Sequence, residues 1–347
     1  GLMVNSGSSA NLIAIKSLSL PKGGEVITPT LTFSTTVAPI VQSDLIPVFI
    51  DAELSTLQIN IDLIEQCISE NTVAIMVPNL IGNLPDWVKL REIADKNNLI
   101  LIEDSADTIG YKYQGSFGNK YTDIVTTSFY ASHIITGAGV GGMVCFNDEE
   151  VFNKAKSLRS WGRRSSQYGE TEDINRRLKA SIEDFDYDDK YIFDDLGYNC
   201  IPSEVSAAFA LEQFKKLKNN IKIRRRNFDY FKDKLSGHNE EFLTFSDNQD
   251  VECNWLAFPI CLQGKLEGKR KDLQFFMEGN GIQTRTIFTG NITRHPIMEG
   301  IPYINGSESY PVADKIMKNG LLLGCHNSLE LEDIDYMSDN LISFLAK

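Results

Sequence analysis

The sequence predicts an α/β protein with a mostly parallel central sheet, flanking helices and a smaller C-terminal α+β domain. Three observations carry that expectation. Short apolar, β-rich runs recur through residue 146, amphipathic helical patterns fall between several of them, and the runs are continuously apolar rather than alternating. Continuous runs belong to strands covered by helices on both faces, as in parallel sheets.

The predicted strands are "EVITP" (25–29), "LIPVFI" (45–50), "TVAIMVP" (72–78), "LILIED" (99–104), "DIVTTSF" (123–129) and "GGMVCF" (141–146). Helical patterns between them include "NIDLIEQCI" and "PDWVKLREIADKNN", the second with a Pro-Asp start and an Asn-rich stop. Residues 162–199 are polar and tyrosine-rich, too long for a turn, and read as a functional or interface excursion. Residues 203–235 predict a long helix broken near Asn219 and Asn220, so the chain divides into a large domain, 1–219, and a small one, 220–347. The small domain holds "NWLAFPICL", "KDLQFFMEGNGIQTRTIF" and a closing helix, "LEDIDYMSDNLISFLA".

A chain of 347 residues with 42% hydrophobic content buries a full core. Its formal charge of −13 argues against a nucleic-acid partner, since phosphate binding needs a dominant positive field. The run Lys222, Arg224, Arg225, Arg226 reads as a solvated helix face. No apolar run reaches the length of a membrane span and no signal-peptide pattern opens the chain, so no membrane partner and a cytoplasmic location are expected. Six scattered cysteines without a CxxC pair read as reduced, mostly buried thiols, with no metal site. The opening "GLMVNSGSSANL" lacks an initiating Met and starts inside a strand-and-loop pattern, which leads us to expect a preceding N-terminal segment.

Four constellations bear chemistry. "NSGSSANL" (5–12) is a Ser/Gly-rich turn entering a helix, a pattern that serves either as a plain helix cap or as a phosphate cradle. "LILIEDSADTIG" (99–110) delivers Glu103 and Asp104 at the carboxyl end of a buried strand, where open α/β sheets bind ligands. "TFSTTVAP" (32–39) places Phe33 just after a strand, as core or as a ring that stacks on a flat cofactor. "SFYASHIITGAGVGGMV" (128–144) sets Ser128 at a strand end and His133 five residues later, before a glycine-rich turn.

In this order the four segments resemble the sugar aminotransferases of the DegT/DnrJ/EryC1/StrS family, fold type I enzymes dependent on pyridoxal phosphate. "PVFIDAELSTLQINIDLIEQCI", "LGYNCIPSEVSAAFALEQ" and "YPVADKIMKNGLLLGCHNSLELEDIDYM" extend the resemblance over nearly the whole chain. It implies that Ser8, Ser9 and Ser128 hold the cofactor phosphate, that Phe33 stacks on the pyridine ring and that Asp104 keeps the ring nitrogen protonated. It implies further that Asn199 reaches the phosphate of a partner subunit's cofactor, so that a homodimer shares its active sites.

The family's lysine, which links covalently to the cofactor, is replaced here by His133. That replacement is similar to the nucleotide-sugar 3-dehydratase subgroup, as are Asp107, which the resemblance counts among the cofactor-binding residues and where aminotransferases usually carry Gln, and "QTRTIFTGNITRHP" (283–296). Imidazole forms no stable imine but is a competent base near neutral pH. The subgroup implies removal of the C3 hydroxyl from a nucleotide-linked 4-keto-6-deoxyhexose, with pyridoxal or pyridoxamine phosphate held noncovalently, His133 as base and L-glutamate as amino donor. A second branch of the subgroup uses an iron-sulfur cluster on cysteines just after a "WGR" segment; "WGRRSSQYGETED" has none, which disfavours that branch and makes GDP the preferred nucleotide. An ordinary aminotransferase and a non-catalytic paralogue are the other readings. The turn "GAGVGG" departs from the subgroup's "GEGG", lacking its glutamate and carrying one added residue.

Overall fold

The computed structural model describes residues 1–118, 120–169, 171–248 and 251–346. An eight-stranded sheet organises the large domain. Its strands in chain order are β1 (Leu2–Val4), β2 (Glu25–Pro29), β3 (Ile46–Ile50), β4 (Thr72–Pro78), β5 (Ile100–Asp104), β6 (Ile124–Ser128) and β7 (Gly142–Phe146), joined by the late edge strand Ile304–Asn305. The spatial order is β1-β7-β6-β5-β4-β2-β3 and then the edge strand. All pairs are parallel except the two that β7 makes with β1 and β6. The mostly parallel sheet expected from the continuous apolar runs is therefore present.

Helices α1 (Gly7–Ser17), α2 (Ser34–Gln42), α3 (Trp87–Lys96) and α4 (Glu149–Arg159) flank the sheet. Three begin at capped turns or carry their own start signal: Ser6 Oγ accepts from Ser9 N–H, Asp86 from Lys89 N–H and Asp148 from Val151 N–H. "NIDLIEQCI" forms two 3₁₀ turns, Ile61–Leu63 and Glu65–Cys67, in place of the expected helix. Its β-branched Ile61, Ile64 and Ile68 disfavour a continued helix, and Ile68 is already extended.

Helix α5 runs unbroken from Glu204 to Lys234, so the expected break near Asn219 and Asn220 does not occur. Asn costs well under 1 kcal/mol in a helix interior, less than the packing of this one supplies. Asn220 is buried, and with Leu217, Arg224, Asn227, Phe228 and Phe231 it lies on one inward stripe. Residue 219 thus falls inside a continuous helix, and a single core cluster includes both Ile27 and Phe344. Beyond α5 a three-stranded antiparallel sheet pairs Phe242–Thr244, Phe258–Leu262 and Gly320–Leu323, under helices that include Arg270–Gly279 and Leu331–Phe344. This is the expected smaller α+β region.

The basic run at 222–226 is a solvated face only in part: Lys222 and Arg226 are exposed, but Arg224 is not. Arg224 is 4% exposed, with Nη1 donating to the carbonyls of Trp255 and Leu256, and Arg225 and Arg226 pair with carboxylates. Four of the six cysteines are buried, Cys67 is half-buried and Cys145 is exposed; all are free thiols. No helix among the described residues is long and apolar enough to cross a membrane.

Candidate active site

Side chains alternate across a strand, and β5 shows the consequence. Leu101 packs in the core cluster on one face and Ile102 in the cluster beneath α1 on the other. Glu103 follows Leu101 into the interior, where Asn79 Nδ2, Ser105 Oγ and Tyr111 OH donate to Oε1 at 2.6, 2.7 and 2.8 Å. Asp104 turns the other way, into a cavity of about 540 Å³ at the carboxyl end of the parallel strands.

Asp104 Oδ2 accepts from Asn11 Nδ2 at 2.8 Å and Thr36 Oγ1 at 2.7 Å. Asn11 is held in turn by Thr126 Oγ1, which donates to its Oδ1 at 2.6 Å. Oδ1 of Asp104 takes only a 3.2 Å bond from Ala106 N–H, which leaves it capacity for a further donor in the cavity. Burial pushes the carboxyl pKa above its ordinary value, and the bonds from Thr36, Asn11 and Ala106 oppose that.

Opposite Asp104, the first turn of α1 closes the cavity with Ser6, Gly7 and Ser8, against Ser128 at the end of β6. The helix approaches that strand so closely that a Cβ on Gly7 would lie 2.6 Å from Ser128 Cβ, so only glycine fits. Unsatisfied first-turn N–H groups, two hydroxyls and the positive end of the helix dipole make this corner an anion site. Ser9 does not line the cavity. Its hydroxyl donates to Asn5 Oδ1 at 2.6 Å, and its N–H bonds the Ser6 cap.

Phe33 sits at the mouth, 51% exposed, edge-on to Phe288 at 6.0 Å between centroids. His133 and Asp107 form the inner wall, Nε2 to Oδ1 at 3.8 Å, while Asp107 Oδ2 accepts from Ile81 N–H at 2.9 Å. Burial is the main cause of both their shifts. His133 is lowered to about 4, with the Ser128 main chain opposing and the Arg224 charge adding to the fall, and Asp107 is raised to about 7. Among the described residues, buried His133 Nδ1 meets no partner at full hydrogen-bond geometry. The imidazole is neutral at physiological pH, in the state a base requires.

His133 also lines a second cavity, of about 740 Å³, which shares Phe33, Ser132, Leu256 and Phe288 with the first and extends to Arg224, Arg285, His295 and His326. Among the described residues, no lysine lines either cavity. Asn199 lies outside both, exposed and bridged to Ser160. Of the residues singled out from the sequence, Ser8, Phe33, Asp104, Asp107, Ser128 and His133 therefore meet at one cavity. Asn11 and Thr36 were missed there, although both lie in segments that had been singled out.

The model of the DegT/DnrJ/EryC1/StrS aminotransferase family matches residues 1–342. The chain belongs to this family. A dTDP-4-dehydro-2,6-dideoxy-D-glucose 3-dehydratase of Saccharopolyspora spinosa is 35% identical, over 99% of this chain and 76% of that protein. A GDP-4-keto-6-deoxy-D-mannose 3-dehydratase of Escherichia coli is 31% identical, over 98% and 87%. A crystal structure of GDP-4-keto-6-deoxymannose-3-dehydratase with a trapped PLP-glutamate geminal diamine superposes with a TM-score of 0.86 at 28% identity, covering 98% of this chain and 87% of that one. The fold is that of the fold type I pyridoxal phosphate enzymes. The glycine turn after His133 contributes Gly139, Val140 and Gly141 to the cavity wall, with Val140 exposed in the stretch where the subgroup's glutamate is absent.

Proposed function

We propose that this chain, a pyridoxal phosphate-dependent nucleotide-sugar 3-dehydratase of its family, removes the C3 hydroxyl of a nucleotide-linked 4-keto-6-deoxyhexose, with His133 as base and L-glutamate as amino donor. One observation carries the reading: among the described residues, an imidazole and no lysine stands where the two cavities meet.

The first cavity's donor set fits pyridoxal or pyridoxamine phosphate. When bound, that group supplies an electron sink conjugated to the sugar carbon bearing the nitrogen. Gly7, Ser8 and Ser128 would hold the phosphate through main-chain N–H groups and hydroxyls, with Ser9 bracing the cap beside them, and Phe33 would supply a stacking face for the ring. Asp104, fixed by Asn11 and Thr36, holds a proton on the ring nitrogen and so maintains the sink. His133, neutral and partly desolvated, takes a proton on the cavity side and returns one to the departing C3 oxygen. Asp107 orients the imidazole across their 3.8 Å gap. Without a lysine the cofactor is retained by these noncovalent contacts.

A second copy of the chain completes the site in this reading. Tyr168, Phe185, Leu196 and Val205, in the chain segments on either side of Asn199, are exposed at 66, 69, 97 and 74%, apolar surface suited to burial in a homodimer in which Asn199 reaches the partner's phosphate. The test is release of ammonia and a 3-deoxy sugar when the holoenzyme, glutamate and a nucleotide-linked 4-keto-6-deoxyhexose are mixed. A 4-amino sugar as sole product would establish an aminotransferase instead, and no turnover with bound cofactor a silent paralogue.

A further inference from the structure

Three consecutive arginines on α5 are treated differently by the fold. Arg225 pairs with Asp229 and Asp247, and Arg226 reaches Glu330 at 3.6 Å. Arg224, the most buried of them, makes no ion pair with any described residue. Its Nη1 is spent on the carbonyls of Trp255 and Leu256 at 3.3 and 3.0 Å, and its buried Nε has no acceptor among the described residues. A guanidinium 4% exposed carries its charge at a desolvation cost that two carbonyls offset only in part.

The free side of this charge faces the second cavity. Arg224 lines it together with His133, Arg285, Gln283 and Thr286. An uncompensated guanidinium in the wall of a cavity that a second guanidinium also lines is the arrangement that accepts a planar carboxylate or a phosphate. We propose that Arg224 and Arg285 form an anion subsite that fixes a negatively charged group of the substrate while its reacting carbon lies against His133. The proposal rests on the dehydratase reading and deepens it. The shared chemistry has two sources there, the diphosphate of the nucleotide sugar and the carboxylate of the amino donor.

Inorganic pyrophosphate and glutarate, which cannot transfer an amine, separate the sources. Calorimetric titration of the cofactor-loaded protein with each should show one or both binding, and Arg224→Lys, which keeps the charge but loses the fork, should weaken that binding by at least tenfold. Arg285→Gln, at an exposed position whose side chain donates to the carbonyl of the adjacent Thr284, should weaken it several-fold and decides the matter if Arg224→Lys does not fold. Pyrophosphate alone assigns the subsite to the nucleotide and glutarate alone to the donor. No binding of either probe, or undiminished binding in the folded variants, overturns the proposal. The ammonia and product assay run on the same samples separates this failure from failure of the dehydratase reading, which would show as a 4-amino sugar product or as no turnover with bound cofactor.

Discussion

The two cavities that share His133 are built on different principles. The first is made of backbone and strand ends: a helix N-terminus, a glycine that only its neighbour's Cβ dictates, and a carboxylate fixed by two side-chain donors. The second is walled by the long helix and by segments of the small domain, and its polar groups are long side chains such as Arg224 and Arg285. Rigid elements hold a reacting group within tight limits, whereas side chains on a separate region tune what else fits. In the proposed function, cofactor chemistry belongs to the sheet and substrate choice to the small domain, with the base at their boundary.

The largest expected effect lies at that boundary. His133→Asn keeps the shape but removes the base, and deoxygenation should fall by about a thousandfold while cofactor uptake, followed by absorbance, stays unchanged. Full activity in this variant would erase the distinction between binding and chemistry. In the first cavity, Asp104→Asn removes a charge-assisted contact of about 1.5–3 kcal/mol, so cofactor affinity should drop by roughly 10- to 100-fold in fluorescence titration. Ser128→Ala loses one hydroxyl of the cradle, about 1 kcal/mol, and should weaken cofactor binding about fivefold. Neither first-cavity variant should alter the affinity for the substrate anion.

A smaller effect concerns pH. His133 is held at about 4 in the fold against about 6.5 unfolded, so the unfolded chain binds more protons between those values, and stability falls as pH drops from 6.5 to 4. Asp107, raised to about 7, has the opposite sign: its contribution is complete below the unfolded carboxyl range and is lost as pH rises through 7. Replacing His133 by Asn isolates the carboxyl. Urea melts of cofactor-free protein should then show less loss of stability between pH 6.5 and 4 than the parent shows, by about 1–3 kcal/mol. Parallel curves for the two proteins would mean that His133 titrates normally.

Much of this was legible in the sequence because it follows from period and punctuation. Continuous apolar runs gave the parallel strands, and the alternation along β5 decides that Asp104, not Glu103, faces the cavity. Other features have no local signature. Asn11 and Thr36 find Asp104 across 93 and 68 residues of chain. Two adjacent serines at a helix start point about 100° apart, so Ser8 lines the cavity while Ser9 turns to Asn5. Arg224 reads as one charge in a basic run, and only the packing of α5 against Trp255 shows that it is the buried one.

The account's central claim is that this site works without a covalent anchor. The direct measurement is mass spectrometry of the pyridoxal phosphate-loaded protein after borohydride reduction and proteolysis. The account predicts no cofactor adduct on any peptide of the parent protein and an adduct on residue 133 in His133→Lys. A reduced adduct on a lysine of the unsubstituted chain would contradict it.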